Sequence, residues 1–87
     1  MKAKDKKRPT KPELTAEEAL KRLGNRIKGL RVKAGYSSFE YFAYEHNISR
    51  AQMGRYENGQ DLRLSSLVKI TNALGITLEE FFSEGFD

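Results

Sequence analysis

The sequence predicts an all-α fold, a compact domain of five helices, and three observations carry that expectation. Apolar residues recur at spacings of three and four, and no segment sustains the period-two alternation of a strand. Four times a Ser or Thr is followed three residues later by Glu or Gln, the reciprocal capping pattern that opens a helix: Thr15 with Glu18, Ser37 with Glu40, Ser49 with Gln52 and Thr77 with Glu80. Gly or Asn then stands where each segment should close, at Gly35, Asn47, Asn58-Gly59 and Gly75. A chain of 87 residues is enough for one small hydrophobic core.

Charge divides the chain in two. Residues 1–12 hold Lys2, Lys4, Lys6, Lys7, Arg8 and Lys11 against Asp5, together with both prolines, Pro9 and Pro12. Such a stretch buries too little apolar surface to offset the entropy of ordering, so a disordered basic tail is expected there. Two roles are open to it: a solvated terminus, or an arm that reaches DNA phosphates or a minor groove. With a whole-chain net charge of +4, residues 13–87 sum to −1. The domain is therefore charge-balanced, and the position of its cations matters more than their number.

Several classes of function are disfavoured. The chain has no Cys and a single His, His46, which leaves no thiolate site and no all-protein zinc site, so no cofactor or metal is expected. No apolar run approaches the roughly 20 residues that span a bilayer, and no signal-peptide pattern follows the basic start, so a cytoplasmic protein without membrane contact is expected. Five small helices leave little room for a cleft, and most carboxylates sit at helix starts or the acidic C-terminus, so the chain is not read as an enzyme.

The first helix should begin at Thr15, with Glu17 and Glu18 favourably placed for its dipole. Its inward stripe is Leu20, Leu23, Ile27, Leu30 and Ala34, and Gly35 should end it in a left-handed conformation. Gly24 and Gly29 each weaken a helix by about 1 kcal/mol relative to Ala, which suggests that another element packs closely on both.

The second helix starts from Ser37 or Ser38, with Tyr36 able to pack on Tyr41 and with Phe42 and Ala43 facing inward. Asn47 supplies a tight turn, since Asn tolerates the left-handed backbone. The third helix follows at once, capped by Ser49, with Ile48 stapled to Met53 and with Met53 and Tyr56 inward. Arg50, Ala51, Gly54 and Arg55 fall on the opposite face, towards solvent. Two short helices joined by a tight turn, the second carrying exposed arginines at its open end, form a helix-turn-helix suited to a DNA major groove, here spanning 37–59.

After a short loop at 60–64, a fourth helix is expected from about Ser65 to Leu74, with Leu67, Ile70 and Leu74 inward and Gly75 at its end. A fifth carries Leu78, Phe81 and Phe82, with Ile76 stapled to Phe81. His46 is read as helix-end surface and Tyr56 as core.

From Leu23 to Phe82 the chain resembles the phage repressor and Cro type of helix-turn-helix domain, the XRE-like family. The match is carried by Leu23-Gly24-x-Arg26-Ile27-x-x-Leu30-Arg31, Gly35-Tyr36-Ser37, Phe42-Ala43, Ile48-Ser49-Arg50, Arg55-Tyr56-Glu57-Asn58-Gly59 and Leu67-x-x-Ile70-x-x-Ala73-Leu74-Gly75-Ile76. The resemblance implies a five-helix domain over 13–87, with a recognition helix at 49–57 that reads double-stranded DNA. It implies base-reading roles for Arg50, Ala51 and Arg55 and backbone-contacting roles for Gln52 and Asn58. Side-chain chemistry agrees, because an arginine fork matches the two acceptors of guanine and a small side chain meets a thymine methyl. Gln52 has a competing use in the cap of its own helix.

The family usually opens its second helix with a Gln that braces the DNA backbone; Ser38 stands nearest that place here, followed by Phe39. The usual Pro after the third helix is absent. The resemblance also implies a pairing of Glu57 with Arg31, which ties the third helix to the first and removes Arg31 from the DNA-contacting set.

The resulting expectation is a sequence-specific transcriptional regulator, a repressor acting as a homodimer on a palindromic operator. The rival reading is an antitoxin or adaptor that uses the same fold to hold a protein partner. Its anchor would be the aromatic set Tyr41, Tyr44, Phe81, Phe82 and Phe86, which otherwise belongs to the core.

Overall fold

The computed structural model describes residues 13–87; the basic segment 1–12 and its expected disorder lie outside the described residues. Five helices follow in order: α1 (Ala16–Lys33), α2 (Phe39–Glu45), α3 (Arg50–Glu57), α4 (Leu64–Leu74) and α5 (Leu78–Phe82), with no strand among the described residues. None of them is long and apolar enough to cross a membrane.

Capping chemistry sets the boundaries. Thr15 opens α1 with a complete capping box, the Glu18 N–H donating to Thr15 Oγ1 at 3.1 Å and the Thr15 N–H to Glu18 Oε1 at 3.2 Å. At the far end the Tyr36 N–H donates to Arg31 O and the Gly35 N–H to Val32 O, with Gly35 at φ 101°. That double bond pattern across a left-handed Gly satisfies carbonyls that the helix leaves open. Thr77 and Glu80 repeat the full box on α5. The other two expected boxes are partial. Ser38, not Ser37, caps α2, its hydroxyl accepting from the Tyr41 N–H. Ser49 accepts from the Gln52 N–H, but the Gln52 side chain does not return to the cap. The fourth helix starts at Leu64, so the expected loop is shorter, and Arg63 precedes it without a side-chain cap bond.

The core gathers Ile27 of α1, Phe42 and Ala43 of α2, Met53 and Tyr56 of α3, Leu67 and Ile70 of α4 and Phe81 of α5. α1 packs against α2, α3 and α4; α2 packs against α3, and α4 against α5. Ile48 and Ile76 both lean on the core in their stapling positions. The buried Thr71 keeps its hydroxyl satisfied by donating to Val68 O within its own helix.

The buried face of α1 runs through Gly24, Ile27 and Arg31, while Ala34 is the exposed C-cap. Gly24 lies under α3: a Cβ there would stand 2.6 Å from Tyr56 O and 2.7 Å from Glu57 O. The same expectation for Gly29 is not met, since a Cβ would meet nothing within 4 Å.

Two arginines of α1 hold the C-terminal segment. Arg26 donates through Nε to Phe81 O at 2.8 Å and through Nη2 to Glu80 O at 3.0 Å, and Arg22 Nη1 donates to Phe86 O at 3.0 Å. The Glu80 and Phe81 carbonyls belong to the end of a five-residue helix that could not stand alone. The aromatic set divides accordingly. Phe81 is fully buried and Phe86 packs against it at a ring separation of 6.1 Å, whereas Tyr41, Tyr44 and Phe82 remain exposed.

Candidate nucleic-acid interface

The turn between α2 and α3 is made by Asn47 at φ 57°, after which the Ile48 N–H donates to Ala43 O at 2.8 Å. From α4, Lys69 Nζ donates to Asn47 O at 2.8 Å and braces the turn from behind. His46, expected on the surface, is the half-buried C-cap of α2. Its ring packs tilted against Phe42 at a centroid separation of 4.7 Å, and Nε2 is buried without a hydrogen-bond partner.

Across this turn α3 presents Arg50, Ala51, Gln52 and Arg55 to solvent. Ala51 and Arg55 lie one helical turn apart, so they share a face, and Gln52 and Arg55 are neighbours on it. Among the described residues neither arginine has an ion-pair or hydrogen-bond partner, and the Gln52 amide is likewise unengaged. By contrast Arg22, Arg26, Arg31 and Lys69 are each committed to the protein itself. The free donors of α3 are thus grouped on one exposed strip.

The opposite side of α3 is fixed. Arg31 Nε donates to Glu57 Oε2 at 2.7 Å and Nη2 to Glu57 Oε1 at 3.0 Å, a bidentate pair whose side chains are 4% and 7% exposed. The remaining Nη1 donates to Tyr36 O at 2.6 Å. Coulombic attraction at low exposure offsets the removal of both charges from water where, as here, both carboxylate oxygens and three guanidinium N–H groups are hydrogen-bonded. Together with the backbone approach at Gly24, this pins the C-terminal half of α3 to α1.

Gly54, expected to face solvent, is partly buried beneath Phe39 of α2; a Cβ there would stand 3.0 Å from Cε1 of that ring. A helical wheel gave no sign of it, because a residue without a side chain carries no polarity signal.

At the edge of α2, Ser38 accepts from the Tyr41 N–H and donates to Glu40 Oε1 at 3.0 Å, so its hydroxyl is used in the cap. The residue that begins the second helix is Phe39. Ser38 and Arg50 nonetheless line one open groove of about 590 Å³, with Glu40, Tyr41, Tyr44 and Ile48. Asn58 stands apart as the exposed C-cap of α3, its N–H held by Gly54 O and Arg55 O. The structure thus brings Arg50, Ala51, Gln52 and Arg55 together, sets Ser38 beside Arg50, and leaves Asn58 at the far end.

Beside this face, Glu45 accepts from Tyr36 OH at 2.5 Å and from Tyr41 OH at 2.9 Å. Those hydrogen bonds stabilise the carboxylate and hold Glu45 below the ordinary carboxylate range; losing them on ionisation raises both tyrosines above 10.0. Among the described residues no group of His, Asp and Glu is placed to hold a metal ion.

The helix-turn-helix family model matches residues 27–81, which contain α2, α3, α4 and the turns between them. Control protein C.MunI of a Mycoplasma species is 41% identical over 64 residues, covering 72% of this chain and 86% of that protein. No solved structure matches.

Proposed function

The chain belongs to the helix-turn-helix family of DNA-binding regulators, and on that premise we propose that it is a sequence-specific repressor that inserts α3 into the major groove of a palindromic operator. The observation that carries this reading is the contrast between the two sides of α3. Arg50 and Arg55 are exposed and unpartnered among the described residues, while the far side is locked to α1 through Arg31 and Glu57. Donors held on a rigid helix lose little freedom on binding.

In this reading Arg50 and Arg55 fork onto guanine, Ala51 packs against a thymine methyl, and the free Gln52 amide and Asn58 approach the DNA backbone. Ser38 borders the same groove as Arg50 and lies against the phosphate strand. One such domain contacts few bases, so tight binding calls for a homodimer with half-sites about one DNA turn apart. The relative from Mycoplasma, a control protein, is in keeping with a regulatory role.

A second reading, a protein-binding adaptor or antitoxin, draws on Tyr41, Tyr44 and Phe82, which are 54%, 82% and 44% exposed. Selection of bound sequences from random duplex DNA separates the two. An enriched palindrome supports the regulator, and Arg50→Ala should then weaken binding to that sequence by about 1–3 kcal/mol and relax its specificity. Salt-sensitive binding without any enriched sequence would favour the adaptor.

A further inference from the structure

The contacts that hold the recognition helix act on different parts of it. The Arg31–Glu57 pair and the backbone approach at Gly24 act on Tyr56 and Glu57, the last two residues of α3. Met53 anchors the middle in the core. The N-terminal half, which carries Arg50, Ala51 and Gln52, makes no side-chain hydrogen bond to another helix among the described residues: Ser49 bonds only the Gln52 N–H of its own helix. What stands against α3 from the side, just past its middle at Gly54, is Phe39. Its ring lies over Gly54, where a Cβ would stand 3.0 Å from Cε1 and 3.2 Å from Cζ. Phe39 is itself partly buried and packs against the core.

We propose that Phe39 and Gly54 form a positioning pair that sets the roll of α3 about its own axis, and so the register of Arg50, Ala51 and Arg55 against the bases. The proposal rests on the DNA-reading role argued above. At the first position of α2, Phe39 presents an apolar ring that is turned onto α3. The missing side chain at Gly54 is what lets the two helices close to ring-on-backbone contact.

The geometry amplifies small shifts. A Cβ at Gly54 falls about 0.4 Å short of the 3.4 Å at which ordinary contact begins. Cα atoms lie about 2.3 Å from a helix axis, Cβ atoms roughly 1 Å farther out and side-chain tips about 5–6 Å, so a roll that relieves about 0.4 Å at the Cβ moves a guanidinium by roughly 0.7 Å. Bidentate hydrogen bonds tolerate only a few tenths of an ångström between about 2.7 and 3.2 Å, so such a shift loses base contacts while leaving the charge near the phosphates.

The test uses the full chain as wild type, Gly54→Ala, Phe39→Leu and the double variant. Each is titrated with the operator obtained by selection and with an unrelated duplex of equal length at one salt concentration, and thermal midpoints are recorded alongside. Gly54→Ala should lower the ratio of specific to non-specific affinity by on the order of tenfold or more, with non-specific affinity changed less than about twofold and the midpoint nearly kept. Adding Phe39→Leu, which shortens the ring to a smaller side chain, should restore most of the ratio.

A packing role alone would lower the midpoint, weaken both duplexes together and leave the ratio unchanged; that result overturns the proposal. If Gly54→Ala does not fold, Phe39→Leu alone gives the same readout, since loss of the ring should also reduce the ratio, and an unchanged ratio overturns the proposal there too. Wild-type protein that prefers no sequence at all would overturn the DNA-reading role itself, and is distinguishable because it needs no variant.

Discussion

Removing Glu57 is the most informative perturbation of the fold. In Glu57→Ala the Arg31 guanidinium stays buried, at 3% exposure for the residue, and keeps only one of its three hydrogen bonds, that to Tyr36 O. Breaking a buried pair from one side costs about 3–5 kcal/mol, because the remaining charge is desolvated without compensation. For a domain of this size each kcal/mol lowers the thermal midpoint by about 4–8 °C, so a fall of at least about 12 °C is expected. Since such domains hold only about 5–15 kcal/mol in total, the loss is a large share of stability.

Replacing both partners, as Arg31→Met with Glu57→Leu, should recover most of the loss. It should not recover all of it, because Tyr36 O then lacks its donor. Circular dichroism melting of the wild type and the two variants measures this, with DNA selection at a temperature well below the lowered midpoint as a control for base preference. A midpoint for Glu57→Ala within about 4 °C of wild type would refute the reasoning. So would a double variant less stable than the single one.

Two glycines in one helix should respond in opposite directions. Gly24→Ala drives a Cβ into the carbonyls of Tyr56 and Glu57 and should destabilise by about 1–3 kcal/mol, whereas Gly29→Ala meets open space and should stabilise by roughly 0.5–1 kcal/mol. Urea titration of the two variants checks the pair, and equal signs would count against the packing of α1 on α3. The Glu45 cluster makes a pH prediction. The raised Tyr36 and Tyr41 contribute stability that is present below pH 10.0 and is lost as pH rises through their folded values; the lowered Glu45 contributes above its ordinary value of 4.5, and that is lost as pH falls through its folded value. Glu45→Gln should return both tyrosines towards 10.0 in an ultraviolet phenolate titration, and an unmoved titration would refute the bonding to Glu45.

Local chemistry made much of this protein legible without coordinates. Thr15 with Glu18, Thr77 with Glu80, Gly35, Asn47 and Gly75 stop or start helices through bonds to their own neighbours, so five helices and their approximate bounds could be read in order. The inward positions Ile27, Phe42, Met53, Leu67 and Phe81 followed from spacing alone, as did the exposed strip of Arg50, Ala51 and Arg55. The Arg31–Glu57 pair was legible only through the family resemblance, since nothing local links residues 26 apart.

Tertiary packing decided the rest. Gly24 and Gly29 look alike in sequence, and only the path of α3 makes one a close contact and leaves the other open. Gly54 falls on the solvent side of a helical wheel, where a residue without a side chain carries no weight, yet Phe39 reaches it from another helix. The Ser37 box failed because the helix registers one residue later, where Ser38 caps it. Arg22 and Arg26 gave no sign that they hold carbonyls more than fifty residues away. Capping and periodicity act within about one turn and are written in the sequence. Which glycine admits a backbone, and which arginine faces solvent or its own chain, depends on the distance between helices, and only the assembled domain sets that distance.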